Sequence, residues 1–102
     1  MKKKTSRPIQ GAEIDTFTIK HAEEEDKYKV QQPTFEQLSA ALTESVGFTG
    51  KLNMSGGGKV IWELCVPEYD EGIEKEPRLL LAVCIDLYNE YVLPADVEIK
   101  KN

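Results

Sequence analysis

The stretch EIDTFTIKHAEEEDKYKVQQPTFEQLSAALTESV, residues 13–46, decides the fold. From Glu13 to His21 the side chains alternate. Asp15, Phe17, Ile19 and His21 fall on one side of an extended chain and Ile14, Thr16, Thr18 and Lys20 on the other. β-Branched and aromatic types dominate, which is the pattern of a strand. The run Ala22 to Asp26, with four consecutive acids, is too charged for a buried strand and reads as the tip of a hairpin. Lys27 to Gln31 is a second strand with Tyr28 and Val30 on one face, and antiparallel pairing sets Phe17 and Ile19 beside them. Two strands alone are marginal in water, so this apolar face needs a cover. Pro33-Thr34-Phe35-Glu36-Gln37 announces one, because Thr34 accepts from the amide three residues on while Gln37 reaches back, the capping-box arrangement. Phe35, Leu38, Ala41, Leu42 and Val46 then follow at helical spacing as a core stripe, and Gly47 is a natural stop.

Beyond the helix, Gly47 to Gly58 carries five glycines and reads as a loop, part of it docked through Phe48, Leu52 and Met54. Lys59 to Val66 suits either a buried strand or a buried helix. The stripe Val60, Ile61, Leu64, Cys65 and the pair Lys59 and Glu63, four apart, favour a short helix. Pro67 ends it, and Glu68 to Lys75 reads as an acidic loop anchored by Ile73. A last helix opens at Glu76-Pro77, where proline at the first helical position gives up an amide that had no partner. Leu80, Val83, Cys84, Leu87 and Tyr91 make its core stripe, Leu79, Leu81, Ile85 and Tyr88 widen its apolar girth, and Pro94 ends it. Ala95 to Asn102 reads as a short turn or frayed tail. The predicted class is therefore α+β: an N-terminal antiparallel hairpin with about three helices packed on it, forming a single domain over residues 13–102.

At 102 residues the chain has room for one modest core. Its net charge is −5, but Lys2, Lys3, Lys4 and Arg7 precede any acid, leaving nine basic against eighteen acidic residues from residue 8 onward. Residues 1–12 read as a flexible basic arm. The acidic body repels phosphate backbones and argues against nucleic acid. No apolar run is long enough to span a bilayer, and the basic start leads into Thr5-Ser6-Arg7-Pro8 rather than an apolar signal core, so the expected location is the cytoplasm. Cys65 and Cys84 lie in apolar surroundings and read as reduced core thiols.

No catalytic constellation emerges. Ser55-Gly56-Gly57-Gly58-Lys59 invites a phosphate-loop reading, but Asn53 stands where the first glycine is required and Val60 replaces the magnesium-binding hydroxyl. The stretch reads instead as a glycine hinge before a helix. Cys65 has no base tied to it by a motif, since the sole histidine is His21. Two cysteines and one histidine fall short of a usual zinc set, and the acidic runs lack the alternating calcium-loop pattern. The sequence thus predicts no enzyme, no cofactor and no metal. What remains is surplus apolar surface. On the last helix and the one before it, Trp62, Leu79, Leu81 and Tyr88 flank their stripes and are the candidate partner-binding residues.

Three motifs in order, KYKVQQPTFEQLSAAL (27–42), GGKVIWELCV (57–66) and EKEPRLLLAVCIDLYNEY (74–91), with VEIKKN (97–102) closing, resemble the small α+β tail assembly chaperones of phages and prophages. The likeness covers about residues 13–102. It implies a binder that keeps the long, apolar tape-measure protein soluble during tail assembly in the host cytoplasm, often as an oligomer and without nucleotide. Proteins of this type are often also made in a longer form by ribosomal slippage, and Lys101-Asn102 permits A-rich codons that support one. The basic leader is not required by the family pattern. Two other readings stand beside it: a structural virion or tail component, and an acidic regulatory inhibitor of a host protein.

Overall fold

Alternation of apolar and polar side chains builds a hairpin that forms one side of a small antiparallel sheet with helices on one face. The structure is a computed structural model and describes residues 3–7, 13–46, 51–93, 100 and 101. Its strands are β1 (Lys4–Ser6), β2 (Glu13–His21), β3 (Glu24–Gln31) and β4 (Glu68–Asp70). Its helices are α1 (Phe35–Val46), α2 (Met54–Cys65), α3 (Gly72–Lys75) and α4 (Pro77–Leu87), the last running on into a π-helical turn, Tyr88–Val92. The sheet order is β1-β4-β3-β2 and all three pairings are antiparallel. The fold is α+β, as the sequence predicts.

The hairpin is tighter than the acidic run suggests. Its turn is only Ala22 and Glu23, with Ala22 at φ 52°, and His21 pairs with Glu24. Glu24 to Asp26 therefore belong to β3, and Asp26 is buried against His21. Phe17 does lie opposite Tyr28, stacked at 5.2 Å, while Ile19 is opposite Asp26 and Asp15 opposite Val30 across a bulge.

The N-terminal segment is not wholly a free arm. Lys4–Ser6 pairs with β4, Lys4 lies 3.5 Å from Glu68, and the Arg7 guanidinium sits over Trp62 (5.3 Å) and Tyr69 (4.8 Å) while donating to the Trp62 carbonyl. The acidic link likewise contains β4 and the single turn α3. Ile73 is the predicted anchor, fully buried.

The larger departure is at α2. Residues 59–65 are helical as favoured, with Val66 the extended residue that ends the helix, but the helix starts at Met54, so Gly56, Gly57 and Gly58 lie inside it rather than in a hinge. Asn53 caps it by accepting from the Gly56 amide at 3.0 Å. The glycines let three helices converge. A Cβ on Gly58 would lie 1.7 Å from the Cys84 carbonyl oxygen, and one on Gly57 would lie 2.7 Å from the Tyr88 ring and 2.8 Å from the Ala41 carbonyl oxygen. α1 runs antiparallel beside α2, with Gln37 near Cys65 at one end and Ser45 bonded to Asn53 at the other. One cluster of buried side chains joins Tyr28, Val30 and Tyr69 of the sheet to Ile61, Trp62, Cys65, Val83, Cys84 and Leu87 of the helices. The predicted stops at Gly47 and Pro94, the docked Phe48 and most of the 95–102 tail lie outside the described residues.

Candidate binding surface

The four residues singled out from sequence do not form one surface. Trp62 is fully buried: its ring lies 4.6 Å from Tyr69 and 6.0 Å from Tyr28, with Arg7 above it. Tyr88 is 1% exposed, its hydroxyl donating to Ser45 Oγ at 3.1 Å and its ring set against Gly57. Both are core residues, and the expectation that they meet a partner is overturned. Trp62 is interior because α2 packs on the sheet, through Tyr28 and Tyr69, as well as on α1 and α4, so more than one of its faces is buried; Tyr88 is interior because the π-helical turn that carries it packs against Gly57 of α2 and Ser45 of α1. Leu79 is half-buried and lines a cleft with His21, Glu24, Asp26 and Gly72. Leu81 is exposed and lines a separate open groove of about 320 Å³ with Asn53, Gly56, Pro77, Leu80 and Cys84.

The surplus apolar surface lies mainly on and beside α1. Phe35 is 81% exposed, Leu42 52% and Val46 48%, and Leu52, just before α2, is 63% exposed. Positions 35, 42 and 46 fall within one narrow arc of a helix, so they make a continuous stripe. The predicted core stripe is therefore right at Leu38 and Ala41 and wrong at Phe35, Leu42 and Val46. The residues of α1 that face the interior are Ala41 and Ser45, both fully buried, with Leu38 half-buried beside them. Their small size is what allows α1 to approach Gly57 and Tyr88, and that was the available signal: small residues facing a glycine run mark the close contact, and the large side chains on the same helix face elsewhere.

The reactive groups are held in quiet states. Burial pushes the Cys65 and Cys84 thiols up to about 11, the opposite of what a nucleophile needs, and both are free and buried. In the cleft by Leu79, ligand atoms of His21, Glu24 and Asp26 lie within 4.8 Å of one another, but His21 Nε2 and Asp26 Oδ2 are engaged with each other at 2.5 Å. That contact fastens the hairpin tip, and Gly72 of α3 stands close enough that a Cβ there would lie 3.0 Å from Asp26 Oδ1. Lys29 and Lys4 flank Glu68; the hydrogen bond from Lys29, with help from Lys4, holds its carboxyl below the usual range. No described helix is long and apolar enough to cross a membrane.

Comparison with protein-family models, with curated proteins and with solved structures finds no match to this chain.

Proposed function

We propose that this chain is a non-enzymatic binding protein that keeps an apolar segment of another protein in solution. In keeping with the sequence resemblance, the partner is the tape-measure protein or another phage tail component, bound in the host cytoplasm. The observation that carries the reading is that Phe35, Leu52, Leu42, Leu81 and Val46 stay between 48% and 81% exposed beside a core that already holds Trp62, Tyr88, Ile61 and Leu87. Fully burying one such side chain is worth about 1.5–3 kcal/mol, so a partner that covers the stripe gains what folding alone has left unused. The stripe Phe35, Leu42, Val46 has the geometry that receives an amphipathic helix through anchors a turn or two apart. The charge of −5 keeps the loaded complex dispersed.

Coexpression with the partner, scored by the soluble fraction, tests this. The wild type should keep the partner soluble, and the double variant Phe35→Glu/Leu42→Glu should lose most of that effect with an unchanged circular dichroism spectrum. Leu81→Glu reports on the second groove. A double variant as effective as the wild type would remove α1 from the proposal. The virion-component reading is separated by assaying purified particles, from which a chaperone is absent; the inhibitor reading is separated by copurification with a host enzyme.

A further inference from the structure

β2 is the outer strand of the sheet, and among the described residues nothing pairs with its free side. The direction of its backbone groups follows from the turn. A two-residue turn makes His21 and Glu24 a hydrogen-bonded pair, and bonding alternates along an antiparallel ladder. Ile19 and Phe17 are then bonded to β3 as well, while the amides and carbonyls of Thr16, Thr18 and Lys20 point outward. The helix-facing side of the same strand is incompletely covered. Half-buried Phe17 and Ile19 line an open groove of about 360 Å³ with Tyr28, Val83 and exposed Ala82 and Asp86.

We propose that this edge pairs with the same edge of a second copy of the chain, antiparallel, about a two-fold axis through Thr18. The sequence of β2 is complementary to itself in that register. Phe17 lies opposite the partner copy's Ile19 and Ile19 opposite its Phe17. Asp15 meets His21 at both ends, and Lys20 faces Thr16 rather than another cation. All the outward groups of Thr16, Thr18 and Lys20 find partners, giving about six backbone hydrogen bonds. Other registers are worse: an axis through Lys20 stacks lysine on lysine, and one through Thr16 runs the pairing into the bulge at Asp15. The axis stands normal to the sheet, so both helical layers lie on one side and the two grooves meet across the junction. An isologous two-fold contact of this kind closes on itself and leaves β2 with no free edge.

Sedimentation velocity over a concentration series should show a reversible dimer. Thr18→Pro should shift it to monomer with the hairpin intact, because the Thr18 amide does not serve β3. Mild oxidation should cross-link Thr18→Cys into a dimer on a non-reducing gel but not Thr16→Cys, whose counterpart is Lys20; Cys65 and Cys84 are buried and supply no background. A wild type that is monomeric at every concentration overturns the proposal, as does a dimer unaffected by Thr18→Pro or a cross-link at Thr16→Cys instead of Thr18→Cys. If Thr18→Pro does not fold, the two cysteine variants decide. The result is independent of the solubility assay, which reads α1.

Discussion

A single hydrogen on Gly58 stands where any other residue would drive a Cβ to within 1.7 Å of the Cys84 carbonyl oxygen. Backbone cannot step aside as a side-chain tip can, so Gly58→Ala must separate α2 from α4 and should cost at least about 3 kcal/mol, the upper end for overpacking. Gly56→Ala is the control. Its Cβ meets only the side chain of the cap residue, Asn53, at 2.5 Å, and loss of part of the cap, about 1 kcal/mol, is offset by the better helix propensity of alanine. Urea denaturation of the two variants should therefore separate them by at least about 2 kcal/mol. Arg7 makes the matching case for the N-terminal segment. Arg7→Ala removes the cation from above Trp62 and Tyr69 and the bond to the Trp62 carbonyl, and should cost about 1–2 kcal/mol; Arg7→Lys should recover little, because an ammonium does not stack. If both Arg7 variants denature with the wild type, β1 is not fastened in solution as described.

α1 shows how much an element's sequence says about itself and how little about its neighbours. Its start is local chemistry and was legible: the Thr34 amide donates to Gln37 Oε1 at 2.9 Å, and the Gln37 amide donates to Thr34 Oγ1 at 3.2 Å. Its inward face was legible only in part: Leu38 and Ala41 belong to the predicted stripe and do face inward, but Phe35, Leu42 and Val46 look like core by hydropathy and are exposed, while the hydroxyl of Ser45 disguises a fully buried position. Swapping the two faces tests the assignment. Phe35→Ser should change stability by no more than about 0.5 kcal/mol, as exposed positions do, whereas Ala41→Leu, forced against Gly57, should cost about 1–3 kcal/mol or more. The same contrast explains the other misses. The β2–β3 hairpin and the start of α4 are set by alternation and by proline, both read from adjacent residues. The strands β1 and β4, three residues each, exist only because distant segments pair, and the first turn of α2 is helical against the propensity of three glycines because α1 and α4 need its smooth surface. Trp62 and Tyr88 were misplaced for the same reason: which face of a helix is inside depends on how many neighbours it has.

At the scale of the whole molecule, the core that joins sheet to helices also sets the response to alkali. Burial raises the Cys65 and Cys84 thiols from 9.0 to about 11, and it raises the Tyr28 and Tyr91 phenols as well, with Asp86 and Asp15 hydrogen-bonded beside them. Each of these groups holds its proton more tightly in the folded chain than in the unfolded one. The stability they carry is complete below the unfolded thiol value near 9.0 and is lost as pH rises toward about 11, since the unfolded state then releases protons that the folded state retains. The urea midpoint should accordingly be flat from neutral pH to about 8 and fall steadily between 9 and 11, and Cys84→Ala should make that fall shallower by removing one of the coupled protons. A thiol reagent at pH 8 offers the same test kinetically: both cysteines should stay unmodified in the folded protein and react at once in urea. Thiols that react at the unfolded rate in the native protein, or an urea midpoint indifferent to alkali, would mean that the helices do not close over Cys65 and Cys84, and with that the shared core of α2, α4 and the sheet would have to be redrawn.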